Sequence, residues 1–364
     1  MWRQSNLAFS GNSLPVNLPS HGVSLLKTKS FEIHNGINIS HWLSQSKKRG
    51  NERATWFTRE DVAFLAGLGY DHLRIPLDEE QMFTETGEKE PEAFRLLHNA
   101  LEWCAEFNLR AVVDLHILRS HYFNAEVKPL FTDAVAQEQF YDCWRKLSGE
   151  LNRYPNSMVA YELLNEPVAD NSEIWNVILN RCASAIRQLE PERTLVIGSN
   201  SFQYYATVKE LRLPENDPNF IISFHYYDPF LLTHYRAPWT NQKDITVAVH
   251  YPGKLVDEKN LSKEEAEALA KIGFRNETYN REVIESNFKQ VVEVAQKHRL
   301  KMFCGEYGCI NEVPLEDKVR WYRDVNSLFN QYGIARANWD YKGGFGIVRE
   351  GIKQDEIIKA IVEK

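Results

Sequence analysis

Two hydrophobic rhythms alternate along the chain. Short runs rich in β-branched, aromatic and aliphatic residues recur eight times: HNGINIS (34–40), DHLRIP (71–76), LRAVVDLH (109–116), MVAYELLNE (158–166), TLVIGSN (194–200), FIISFHYY (220–227), KMFCGEYG (301–308) and IARANWD (334–340). Between them apolar residues fall three and four apart, the spacing of one helix face. Phe94, Leu97, Leu101 and Cys104 form one such stripe, and Phe140, Cys143, Trp144, Leu147 and Leu151 form a second. Ile174, Ile178, Cys182 and Leu189 form a third, and Val319, Tyr322, Val325 and Phe329 a fourth. Thr58 with Asp61 has the form of a capping box, and Gly67 and Gly69 close that helix. Strands alternating with helices predict a closed parallel (β/α)8 TIM barrel, a single domain over residues 31–364, with residues 1–30 as an N-terminal extension packing on it. In such a barrel the chemistry collects at the C-terminal ends of the strands. The connection after the sixth strand, from residue 228 to about 278, is far longer than the others, and long insertions of this kind shape binding clefts.

Charge and composition narrow the function classes. With 43 Lys and Arg against 50 Asp and Glu among 364 residues, the net charge is −7, so no global positive field draws nucleic acid or anionic lipid. No apolar run approaches the ~20 residues that span a bilayer. The first thirty residues lack the continuous apolar stretch of a signal peptide, and a monomer is expected. Of the five cysteines, Cys104, Cys143 and Cys182 lie on apolar helix faces and read as buried core thiols. Cys304 and Cys309 flank Glu306. Strand parity puts Cys304 on the face of Glu306, inside the barrel, with Phe303 on the opposite face.

The strand ends carry a polar set that core packing does not explain: Arg74, His116, Asn165 with Glu166, His225 with Tyr227, Glu306, and Trp339. Two carboxylates at one barrel mouth suit glycoside hydrolysis, in which one protonates the leaving oxygen and the other attacks the anomeric carbon. Glu162 and Asp114 share the parity of their strand ends but lie deeper, and read as buried structural carboxylates needing a partner such as arginine. His34, His41 and His121 lack metal-ligand spacing, so neither a metal nor another cofactor is expected. A Schiff-base aldolase would need a lysine at a strand end, and Lys301 starts its strand at the wrong face.

YELLNEP (161–167) and FCGEYG (303–308) resemble the two signatures of glycoside hydrolase family 5, the cellulase family. Arg74 in HLRIP, His116 in VVDLH, His225 and Tyr227 in SFHYYDPF, and Trp339 in RANWDY are similar to the remaining elements of that pattern, over about residues 34–347. The resemblance implies a retaining hydrolase of a β-linked glucan, most simply an endo-β-1,4-glucanase, acting by double displacement. Glu166 would be the acid/base and Glu306 the nucleophile. Asn165 would hold the sugar 2-hydroxyl, Tyr227 and Arg74 would orient Glu306, and His225 would tune Glu166. His116 would bind hydroxyls, and Trp339 would stack under the sugar beside the scissile bond. Trp42, Trp239 and Tyr341 are candidate subsite aromatics. The same residues would serve a β-mannanase, a xyloglucanase, a β-1,3-glucanase or an exo-acting glycosidase. An inactive carbohydrate-binding barrel is the non-enzymatic alternative. A polysaccharide substrate implies a secreted or periplasmic protein.

Overall fold

A computed structural model describes residues 30–214 and 217–363; the expected N-terminal extension lies almost wholly outside them. All eight expected strands form: β1 (Asn35–Asn38), β2 (His72–Asp78), β3 (Arg110–Ile117), β4 (Val159–Glu162), β5 (Leu195–Gly198), β6 (Phe220–Tyr226), β7 (Lys301–Tyr307) and β8 (Ala335–Asn338). They pair in parallel and in sequence, and β8 closes on β1. The helices Arg59–Gly67, Pro91–Glu106, Ala134–Leu151, Ser172–Leu189, Arg281–His298 and Leu315–Tyr332 surround this barrel. The capping box at Thr58 and Asp61 is present. The predicted stripes are buried, apart from the ends of the third: Ile174 is only partly covered, and Leu189 is exposed at its helix terminus. Between β5 and β6, short helical turns at Asn200–Gln203 and Tyr205–Glu210 take the place of a full helix.

The barrel interior is layered. Its lower floor is apolar: Val112, Ala160, Val196, Ile221, Phe303 and Ala335, plugged from below by Phe31 and Ile33. Above it the interior turns polar, with Asn38, Arg74, Asp114, Glu162 and Ser223 all buried. Phe303 in the inner cluster corrects the parity expected for FCGEYG. The β6–β7 pairing runs Phe224 to Cys304 and then His225 to Glu306, skipping Gly305. This bulge adds one residue and resets which side chains point inward. Cys304 therefore packs in the outer layer, whereas Phe303 and, after the bulge, Glu306 face in. Glycine suits the bulge, because a Cβ at residue 305 would press to 3.1 Å from Ser223 Oγ and 3.2 Å from His225 Nε2, and those side chains would have to give way.

The insertion after β6 carries the helix Lys263–Lys271 and a two-stranded antiparallel sheet, Gly253–Lys254 with Thr278–Tyr279. Among the described residues no helix is long and apolar enough to cross a membrane.

Candidate active site

Arg74 organises the polar layer. Its side chain is fully buried, and its three nitrogens reach acceptors on several strands, with Nε and Nη2 both on Glu162. Nε donates to Glu162 Oε2 at 2.7 Å and Nη1 to Glu306 Oε1 at 2.8 Å and Asn38 Oδ1 at 2.9 Å. Nη2 donates to Asn165 Oδ1 at 2.8 Å and lies 3.1 Å from Asp114 Oδ2. Glu162 and Asp114 thus have the arginine partner that their depth demanded. A planar guanidinium can serve this many acceptors at fixed angles, and an ammonium cannot.

Glu306 also accepts the Tyr227 hydroxyl, at 2.9 Å. Glu166 faces it across the barrel mouth, where Glu166 Oε1 lies 2.9 Å from His225 Nδ1. Donor atoms of Glu166, His225 and Glu306 all lie within 4.8 Å of one another. This trio is the set among the described residues that converges closely enough to ligate a metal ion. The fixed charge of Arg74 beside Glu306 opposes a cation there.

Four carboxyls, those of Asp114, Glu162, Glu166 and Glu306, share this pocket with one guanidinium. Burial raises the pKa of all four. Glu166 is raised well above its ordinary range, by burial first and then by the facing charge of Glu306. On Glu306 the Arg74 charge and the Tyr227 hydrogen bond work against burial. The two environments therefore separate the carboxyls, with the proton favoured on Glu166. Burial keeps His225 well below its usual range, so the ring beside Glu166 is neutral. His116 is held down to about 3, also by burial, while its Nδ1 sits 2.7 Å from Asp114 Oδ2.

Asn165 Nδ2 is buried without a protein partner, leaving a donor free for a ligand hydroxyl. The Trp339 ring lies parallel to His116, with centroids 5.7 Å apart, and both line the cleft. The structure brings together all eight strand-end residues. It does not bring in two of the expected aromatics. Trp42 is completely buried, donating Nε1 to the Arg53 carbonyl at 2.9 Å and packing on Phe57. Tyr341 is buried with its hydroxyl on Asp61 at 2.7 Å. Both are loop-packing residues, and the stacking role expected for them is withdrawn. Trp239, by contrast, is 56% exposed in the cleft wall.

Two cavities meet over Glu166. One of about 770 Å³ includes His116, Asn165, Glu306 and Trp339 in its walls. The other, of about 620 Å³, lies beyond Glu166 and includes His225, Phe202, Tyr204 and Phe230. Glu166, Tyr227 and Trp239 border both. Among the described residues the exposed aromatics are Tyr122, Phe202, Tyr204, Phe230 and Trp239, and all five line one or the other. Four of these five escaped the sequence reading, since a solvent-facing aromatic on a loop looks like one that packs the loop. HILRSHYF, which supplies Tyr122 and Phe123, was the available signal.

A barrel with paired acid groups at the C-terminal mouth is the architecture of many glycoside hydrolases, and the comparisons specify which. Residues 30–344 match the model of the Cellulase family, glycosyl hydrolase family 5, and the chain belongs to that family. Endoglucanase C of Acetivibrio thermocellus is 32% identical over 315 residues, covering 84% of this chain and 90% of the relative. Cellodextrinase A of Ruminococcus flavefaciens is 30% identical over 313 residues, covering 85% of each chain. The barrel superimposes on Thermotoga maritima Cel5A, solved in complex with cellobiose, with a TM-score of 0.74 at 20% identity, over 90% of this chain and 97% of that one. The protein is a glycoside hydrolase.

Proposed function

We propose that this enzyme cleaves interior bonds of a β-1,4-linked glucan with retention of configuration, outside the cytoplasm, where such polymers occur. The observation that carries the mechanism is the approach of Glu166 and Glu306 oxygens to within 4.8 Å. Retaining pairs stand ~5–5.5 Å apart, whereas inverting pairs leave ~6.5–9.5 Å for a water. In the first step Glu166 gives its proton to the glycosidic oxygen as a Glu306 oxygen attacks the anomeric carbon. The C–O bond to the leaving sugar breaks and a glycosyl ester forms. Esterification removes the Glu306 charge, which lets Glu166 hold a carboxylate more easily. Glu166 then takes a proton from water, the water oxygen bonds to the anomeric carbon, and Glu306 leaves as the carboxylate. Asn165 Nδ2 donates to the sugar 2-hydroxyl throughout, a role supported by its lack of a protein partner.

The pair of cavities supports endo action, because a chain can continue on both sides of Glu166. The names of the relatives, an endoglucanase and a cellodextrinase, favour a cello-configured substrate. The test is a panel of glucan, mannan and xyloglucan polymers followed by viscosity and reducing ends together, with proton NMR of the first product. A fast fall in viscosity on β-1,4-glucan and an initial β-anomer are expected; an α-anomer rules out double displacement, and release of one short product without loss of viscosity rules out endo action. Trp239→Ala is expected to raise KM for cellohexaose about tenfold and for cellotriose less than about twofold, since only the longer chain extends across the indole. Equal changes on both would place Trp239 outside the subsites.

A further inference from the structure

The loop after β5 contains three consecutive non-glycine residues in the left-handed region: Ser201 (φ 59), Phe202 (φ 63) and Gln203 (φ 53). Glu166 is itself left-handed at φ 45, four residues beyond the last laddered residue of β4. Such conformations persist only where surrounding contacts over-determine them, and they gather at functional sites. The two segments are stitched together. The Phe202 amide donates to the Pro167 carbonyl at 3.2 Å, and the Asn200 side chain bonds both the amide and the carbonyl of Ala169, at 2.8 and 3.0 Å.

At the centre of the stitching is the Gln203 side chain, completely buried. Its Oε1 accepts the backbone N–H of Glu166 at 2.8 Å. Its Nε2 donates to Glu162 Oε1 at 3.2 Å and to Ser223 Oγ at 3.1 Å. The amide cannot turn over without placing two donors against the Glu166 N–H. Its place is also reserved from below, since a Cβ on Gly198 would overlap the Gln203 side chain.

We propose that Gln203 is a positioning residue for the acid/base: through the Glu166 amide it sets the left-handed turn that aims the Glu166 carboxyl at the glycosidic oxygen. Arg74 thereby registers both carboxyls. It bonds Glu306 directly, and it reaches the Glu166 backbone through Glu162 and Gln203. This inference rests on the acid/base role proposed for Glu166 and adds the element that holds it.

The test separates aiming from general loss of structure. Two aryl β-cellobiosides are compared by kcat/KM, one with a 2,4-dinitrophenyl leaving group that departs without protonation and one with an unsubstituted phenyl group that needs it. Gln203→Met keeps the volume and removes the amide. Its kcat/KM on the phenyl substrate is expected to fall about 30-fold, a part of the about 10²–10⁴-fold that general acid catalysis supplies, while the dinitrophenyl value stays within about threefold. Equal falls on both substrates, or no fall on either, overturn the proposal. Gly198→Ala, which displaces the same side chain without altering it, is expected to repeat the selective loss and keeps the test open if Gln203→Met folds poorly. Glu166→Ala is the control. If it shows no leaving-group dependence, the acid assignment itself fails; if it does and both other variants do not, only the role of Gln203 fails.

Discussion

Replacing Glu306 with alanine is expected to lower kcat on an aryl β-cellobioside by at least about 10⁴-fold, roughly 5.5 kcal/mol or more at 1.36 kcal/mol per decade. The variant should fold, because Arg74 keeps Glu162, Asp114, Asn38 and Asn165 when the Glu306 contact is lost. In the proposed mechanism it loses the attacking oxygen. The space left beside Tyr227 admits a small anion, so added azide should restore turnover of a dinitrophenyl substrate. Azide then attacks once from the Glu306 side, and the product is the α-glycosyl azide. In Glu166→Ala the nucleophile is intact, azide intercepts the glycosyl ester from the opposite face, and the product is the β-azide. NMR of the two azides therefore assigns both carboxyls in one experiment. Exchange of the two anomers would reverse the assignment, and Glu306→Ala activity near that of the parent would remove Glu306 from the chemistry.

The legibility of this molecule differs with the physical origin of each feature. The eight strands and most helix faces were readable because burial imposes periods of two and 3.6 on the chain. The eight strand-end residues were readable because buried polar groups at a barrel mouth have no packing rationale. Parity failed at Cys304 because a single inserted residue, Gly305, reverses alternation, and nothing local in FCGEYG marks a bulge apart from that glycine. The fourth strand stops pairing at Glu162, and the chain reaches Glu166 through a left-handed turn that an apolar run does not announce. Trp42 and Trp239 show the limit for aromatics, since one is completely buried and the other 56% exposed although both read as candidate platforms. Gln203 was invisible for a further reason. Its importance lies in a hydrogen bond to a backbone amide 37 residues away, and no side-chain chemistry advertises that.

The second large effect is expected at Arg74. Arg74→Met should destabilise the protein by about 3–5 kcal/mol at pH 7–8, the scale for stranding buried charges by removing one partner. The penalty should depend on pH in a definite direction. Without the guanidinium, Asp114 and Glu162 stay folded only as the neutral acids, so their folded pKa values rise further above the ordinary values of 3.8 and 4.5. Between those values and the raised ones the folded state binds more protons than the unfolded state. Stability therefore falls as pH rises. The loss should be smallest below those ordinary values, where both states are protonated, and should grow from there through neutrality. Denaturant titrations of parent and variant at pH 4.5 and 8 measure it, and a penalty that does not change with pH would refute the account. Glu306 loses the same cation, so the acidic limb of the activity profile should move to higher pH. Arg74→Lys is expected to recover part of the stability and little of the activity. One ammonium restores a positive charge to the pocket, but it cannot reach Glu162, Glu306 and Asn165 together at the angles the three guanidinium nitrogens hold.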